Sequence, residues 1–291
     1  FTLFEMTSHW NISPNTTMYK KCTAIVTGGL SGLGAASVHS LLERSIRVII
    51  ADINIEQAEK VVSQLKKTFP SGDMQFVHCN VMKSESISQV VKAAVSDDTQ
   101  PLRILINSAG VGGASRVVGS TGRATDQKSF EFVVGVNLFG TFNCIRQACS
   151  AMVKQQKRLK IKQGGCVINV ASIAAFDGQI GQASYSSSKA GVVGMTLPLA
   201  RDLSRHGIRV MTIAPGPIAT AMVKLIPETI RKGLVKDCCY PVRLGEPSEF
   251  AMLAMHIIDN QFLNGECIRL DAGLRMPFDS NGQYYEERSK L

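Results

Sequence analysis

The run from Cys22 to Asp52 restricts the fold of this chain more than any other stretch. A short β-rich segment, 22–27, passes directly into Thr27-Gly28-Gly-Leu-Ser31-Gly32-Leu33-Gly34, and an apolar-periodic helix follows to about Arg44. A second apolar run, 47–51, ends at Asp52, eighteen residues beyond Gly34. Strand, glycine turn, helix and strand in that order form a βαβ unit, which calls for a parallel sheet. The same arrangement builds a phosphate cradle. Glycine admits a tight turn and a close backbone approach, and a helix N-terminus presents free N–H groups to an anion. Thr27, Gly28, Ser31, Gly32, Leu33 and Gly34 are the candidate cradle, and Asp52 is placed to hydrogen-bond an adenosine ribose. Asp52 would repel a 2′-phosphate and Ser31 offers no basic partner for one, so the expected cofactor is NAD(H) rather than NADP(H).

The alternation of strands and helices continues along the chain. Helical stretches at 54–68 and 84–96 flank a strand at 74–79, and the strand Leu102–Ile106 leads into Asn107-Ser-Ala-Gly110. A glycine-rich loop, 110–125, precedes a helical pattern from about Asp126 to Lys154, interrupted around Gly135–Gly140, where Asn137 lies. Strands at 166–172, 208–214 and 266–270, with helices to about Arg205 and over 247–258, complete the pattern. The prediction is α/β: a single Rossmann-type domain over 18–278, doubly wound, with a mostly parallel seven-stranded sheet and helices on both faces. Residues 216–240 read as an apolar excursion beside a strand end, the usual place for a substrate loop. Residues 1–17 and 279–291 read as tails. The first of these contains no Lys or Arg, unlike an Arg-rich transit peptide.

With 45% hydrophobic and 19% charged residues, the chain has enough apolar material for one large core. No apolar run approaches the roughly 20 residues needed to span a bilayer. The eight cysteines show no metal-ligand or C-x-x-C spacing and read as reduced thiols in a cytosolic or matrix compartment, several of them within strand-like runs. A formal charge of +9 is partly concentrated in Lys154, Lys157, Arg158, Lys160 and Lys162. That run, between helix and strand, reads as a solvated loop, with coenzyme A phosphates or RNA as the alternative partners.

The chemistry-bearing constellation is Ser172…Tyr185-x3-Lys189. Tyr185 and Lys189 are one helical turn apart on one face, and Ser172 stands at the polar end of the apolar run beginning at Cys166. If that run is a strand, a hydroxyl, a phenol and an ammonium converge where a proton can move to or from a carbonyl or alcohol oxygen. A free phenol has a pKa of about 10; lowering it by about 3 units needs roughly 4 kcal/mol of differential stabilisation. A cation one turn away and a positive nicotinamide ring are the expected sources.

Taken together, Thr27-Gly-x3-Gly32-x-Gly34, Asn107-x-Ala-Gly110, Ser172…Tyr185-x3-Lys189 and Pro215-Gly216 resemble the short-chain dehydrogenase/reductase superfamily over about residues 19–278. The stretches Ala174–Gln182, Gly194–Asp202, Gly207–Gly216 and Phe262–Glu266 are similar to its mitochondrial type 2 3-hydroxyacyl-CoA dehydrogenase branch, also called 17β-hydroxysteroid dehydrogenase type 10. The resemblance implies NAD(H), a homotetramer in the mitochondrial matrix, and acyl-CoA or steroid substrates. It also implies a second role in that branch, as a scaffold with a tRNA methyltransferase in RNA processing. Other ketoreductases or alcohol dehydrogenases of the superfamily are the alternative.

By the same resemblance Ser172, Tyr185, Lys189 and Asn137 are the catalytic residues, with Asn137 holding a relay water. Further cofactor contacts are implied at Asn80, Val81, Asn107, Ala109, Gly110, Pro215, Gly216, Ile218 and Thr220, besides Tyr185 and Lys189. Asn80 stands where the family usually carries an aspartate, and its amide can still hydrogen-bond there. Substrate contacts are expected at Ser172, Phe176, Gln179, Gln182, Tyr185 and Met222.

Overall fold

A computed structural model of the chain describes residues 19, 21–162, 164–220, 223 and 233–278. Seven strands form one sheet: β1 (Thr23–Thr27), β2 (Arg47–Asp52), β3 (Met74–His78), β4 (Leu102–Asn107), β5 (Cys166–Val170), β6 (Arg209–Pro215) and β7 (Cys267–Leu270). Their spatial order is β3-β2-β1-β4-β5-β6-β7. Every pairing between these strands is parallel. All residues of β1, β4, β5 and β6 are buried, which is why these strands read as continuous apolar runs and not as alternating ones.

The helices are α1 (Gly32–Glu43), α2 (Ile55–Thr68), α3 (Ser84–Ala94), α4 (Gln127–Val134), α5 (Thr141–Leu159), α6 (Ala183–Ser204) and α7 (Pro247–Asp259). On one face of the sheet, Val38 and Leu41 of α1 meet Phe250 and Ile257 of α7, with Val61 and Leu65 of α2 at the margin. On the other, Ile87 of α3, Ile145 and Met152 of α5 and Ala200 of α6 pack together. Each such side chain contributes roughly 1.5–3 kcal/mol when fully buried, so the two layers hold the sheet from both sides. The chain runs from β1 to β2 and β3 on one flank, then crosses back to β4 on the other side of β1. That reversal opens a crevice at the carboxyl ends of β1 and β4, where open α/β sheets take their ligands.

Three features differ from the sequence reading or lie beyond it. The interruption at Gly135–Gly140 is a π-helical turn between α4 and α5. The basic run is mostly helix and not a loop: α5 continues to Leu159, and Lys160 caps it in the left-handed conformation at φ 54°. Lysine and arginine favour a helix, and their charge is welcome at its negative end; Arg158 is also paired with Asp98. This run sits at the amino edge of the sheet, with the five-residue β5, roughly 16 Å of strand, between it and the crevice. The tails 1–17 and 279–291 lie outside the described residues, as do Met222, Leu225 and Ile226 of the excursion.

Candidate active site

At the crevice a cavity of about 450 Å³ runs from the glycine turn to Ser172 and Tyr185. The glycine turn shapes its first end. Gly28 has φ +64°, and a β-carbon there would come within 2.9 Å of Ala109 in the neighbouring loop. A β-carbon on Gly34 would meet the Gly28 carbonyl oxygen at 2.1 Å, so only glycine lets α1 begin this close to the turn. Ser31, the N-cap of α1, makes no side-chain capping bond, and the first turn carries no acidic residue. The leading N–H groups of α1 are therefore left to an anion in the cavity. The Thr27 hydroxyl accepts from the N–H groups of Ser108 and Ala109, tying the ends of β1 and β4 together from behind the cavity wall.

Asp52 stands at the end of β2 and lines the cavity. Its Oδ2 accepts from Leu30 N–H at 3.1 Å and its Oδ1 from Asn54 N–H at 3.0 Å. The carboxylate is held in place and keeps lone pairs for a ligand hydroxyl. Asn80 Oδ1 accepts from Met82 N–H, which leaves its NH2 group for a ligand. Ile53, Val81 and Met82 add apolar surface beside Asp52. A ribose acceptor, a flat apolar recess and a phosphate cradle in sequence fit a dinucleotide. Among the described lining residues Lys189 is the only Lys or Arg, and it stands with Ser172 and Tyr185 and not with Asp52.

At the other end, β5 delivers Ser172 just past Val170, and α6 carries Tyr185 and Lys189 one turn apart. The Ser172 hydroxyl accepts from Ala174 N–H at 3.1 Å and also hydrogen-bonds the Tyr185 phenol. Lys189 Nζ donates to the Val170 carbonyl at 2.9 Å and lies 5.8 Å from the Tyr185 ring centre. Burial pushes the Tyr185 phenol above its ordinary pKa, and the bond from Ser172 only partly offsets this. Burial also brings the Lys189 ammonium down to about 8. The sequence reading expects a lowered phenol, and the protein alone does the opposite. Desolvation outweighs the Ser172 bond, and the Lys189 ammonium is directed at the Val170 carbonyl.

Asn137 lies in the π-helical turn, fully buried. Its Oδ1 accepts from Val111 N–H at 2.8 Å, and its Nδ2 donates to the Val111 carbonyl and to Ser188 Oγ. Ser188 Oγ in turn donates to the Tyr185 carbonyl at 2.7 Å. Both amide hydrogens are thus engaged, so the expected hold on a relay water has no free side-chain donor at Asn137. What the residue does is join the Gly110–Val111 loop to α6 beside Lys189. A β-carbon on Gly110 would come within 3.1 Å of Asn137 Oδ1 and 3.4 Å of Lys189 Nζ, which shows how closely the three are grouped.

Ser31, Gly32, Leu33, Ala109, Gly110, Pro215, Gly216, Ile218 and Thr220 line the cavity as expected. Thr27, Gly34 and Asn107 support it from behind, Asn107 by donating to Asn169 Oδ1 across β4 and β5. Three of the expected substrate residues, Phe176, Gln179 and Gln182, stand outside the described cavity lining. Phe176 is half exposed, Gln179 and Gln182 bond to each other, and Gln179 also donates to the Pro277 carbonyl. Their segment turns away after the short 3-10 turn Ile173–Ala175 and is used up in fastening itself down. Met222 is outside the described residues. The cavity lining also includes Phe132 and Val136, four apart on the helical pattern beside Asn137, and Val223 from the excursion. That i, i+4 spacing was the available signal for the first two.

A family model described as short chain dehydrogenase matches residues 22–231. The chain is 42% identical over 261 residues to the 3-hydroxyacyl-CoA dehydrogenase type-2 of Drosophila melanogaster, covering 89% of this chain and 99% of that protein. Its identity to the human protein of the same description is 40% over 258 residues, 88% and 96% of the two chains. A crystal structure of 3-hydroxyacyl-CoA dehydrogenase type-2 from Mycobacterium avium superposes with a TM-score of 0.81 at 34% identity, covering 90% of this chain and 98% of the other.

Proposed function

The chain belongs to the short-chain dehydrogenase family, and on that premise we propose that it interconverts short-chain 3-hydroxyacyl-CoA and 3-oxoacyl-CoA thioesters with NAD(H). The observation that carries the reading is the single cavity that joins a dinucleotide cradle to Ser172, Tyr185 and Lys189. The relatives described as 3-hydroxyacyl-CoA dehydrogenase type-2 support the substrate class. The nicotinamide supplies the hydride chemistry when bound. The chain supplies the rest. Ser172 orients the substrate oxygen and stabilises charge on it. Tyr185 gives that oxygen a proton in reduction and takes one in oxidation. Lys189 holds the nicotinamide ribose and adds positive charge beside the phenol. The fixed carboxylate of Asp52, with no cation near it in the described lining, favours NAD(H) over NADP(H).

Reduction of acetoacetyl-CoA, measured with NADH and NADPH side by side and beside a steroid ketone, tests this. NADH is expected to give at least about a tenfold higher kcat/KM, the factor that 1.4 kcal/mol of repulsion at Asp52 supplies. A steroid ketone is expected as a slower substrate, since the cavity of about 450 Å³ has a largely apolar lining that suits either an acyl chain or a steroid. Good activity on an unrelated ketone with none on acetoacetyl-CoA rejects the acyl-CoA assignment. The proposal includes a homotetramer, for which Phe139, Phe142 and Leu197 offer exposed apolar side chains. A monomeric mass in light scattering would remove that part.

A further inference from the structure

Arg269 sits on the edge strand β7, outside the cavity lining, yet its guanidinium ties together segments that wall the cavity. Its Nη2 donates to Asp177 Oδ2 at 2.6 Å and to the Leu274 carbonyl at 2.8 Å. Its Nε donates to Asp271 Oδ2 at 2.7 Å, and its carbon end stands 5.3 Å from the Phe176 ring centre. Asp271 is also approached by the exposed Arg275 at 3.4 Å. The side chains of Arg269, Asp177 and Asp271 are only 19%, 17% and 7% exposed, so water competes weakly for these bonds.

Each partner leads to a different part of the site. Asp177 belongs to the link between Ser172 and α6. Asp271 backs the Pro215–Gly216 turn: a β-carbon on Gly216 would come within 2.9 Å of Asp271 Cβ, and Gly216 N–H donates to the Leu270 carbonyl. Leu274 packs with Ile173, the neighbour of Ser172. A planar fork can serve three acceptors at fixed angles, which an ammonium cannot do.

We propose that Arg269, acting through Asp177, is a positioning residue for the proton-transfer pair. It holds the Ser172–Tyr185 link in register with the Pro215–Gly216 turn that lines the cavity. The inference rests on the reading of Ser172 and Tyr185 as the proton-transfer groups and extends it to the far edge of the sheet.

The test uses Asp177→Asn and Asp177→Glu in the full chain. The first keeps size and an acceptor but removes the charge; the second keeps the charge. Amide hydrogen exchange over residues 172–182 is read by mass spectrometry, and kcat and KM are measured on the ketone that the wild type reduces best. Asp177→Asn is expected to exchange at least about 10-fold faster in that segment, with the sheet unchanged. Its kcat is expected to fall about 10-fold, the scale of a sub-ångström misplacement, with KM for the cofactor unchanged. Asp177→Glu is expected to restore both. Wild-type exchange in Asp177→Asn overturns the proposal. So does a lowered melting temperature with unchanged kcat per folded molecule, or a loss that Asp177→Glu does not restore. The exchange measurement needs no substrate, so it decides the matter even if the acyl-CoA assignment fails.

Discussion

Replacing Tyr185 with phenylalanine is expected to leave cofactor binding unchanged and to lower turnover by about 10²–10⁴-fold, the usual contribution of a positioned proton donor. The substitution removes one oxygen and keeps the ring, so α6, the Lys189 bond to the Val170 carbonyl and the Asn137–Ser188 connection all remain. Fluorescence titration with the reduced cofactor and steady-state kinetics read the two quantities separately. Near-normal turnover would remove Tyr185 from the chemistry.

The pKa directions add a pH signature to this variant. Burial holds the phenol protonated in the neutral range, so the protein without cofactor is set up as an acid. Reduction needs that acid and is expected to be flat below about pH 8, then to fall as Lys189 loses its proton around its value of about 8. Oxidation needs the phenolate and is expected to rise with pH. In Tyr185→Phe the residual rate is expected to lose the rise in the oxidative direction. The positive nicotinamide ring is the remaining source of the phenolate stabilisation that the buried protein does not provide alone. A rising oxidative limb well below the ordinary phenol pKa of about 10 would measure that contribution.

Legibility in the sequence follows how locally each feature is encoded. The glycine turn could be read because Gly28 and Gly34 answer to contacts with their own loop and its neighbour, where any side chain collides. The parallel sheet could be read because β1, β4, β5 and β6 are apolar on both faces, and the intervening helices are periodic. Tyr185 and Lys189 could be read because one helix sets their spacing. The substrate wall could not. Phe176, Gln179 and Gln182 lie between two catalytic residues in sequence, and nearness in sequence suggested nearness to the substrate. The chain there instead bonds outward to Pro277 and Phe278, nearly a hundred residues later, and no local pattern shows this. Asn137 marks an interruption that the helical pattern reveals, but its bonding partners Val111 and Ser188 come from two other elements. The basic run is hard to read for a simpler reason: charge density suggests a loop, whereas lysine and arginine sit well in the last turns of α5.

Two substitutions of the same kind are expected to have opposite effects, and the contrast isolates the cradle from general helix stability. Gly34→Ala adds a β-carbon 2.1 Å from the Gly28 carbonyl oxygen and 2.8 Å from its carbon. Both are backbone atoms of the turn, so relief requires α1 to move away or the turn to open. Overpacking of this sort costs about 1–3 kcal/mol in stability. It also displaces the N–H groups of α1 from the place where an anion would sit, and a shift of about 1 Å in a positioned group is enough for a 10²-fold loss. NADH affinity is therefore expected to fall by about 100-fold, with a lower melting temperature. Gly194→Ala, in the middle of α6, meets nothing within 4 Å of the added carbon. There alanine is expected to stabilise the helix by about 0.5–1 kcal/mol and to leave NADH affinity unchanged. Thermal melts and fluorescence titration of the two variants decide the outcome. If Gly34→Ala binds NADH like the wild type, the dinucleotide cradle is not at this turn. If both variants lose affinity together, the loss reports the fold and not the cradle.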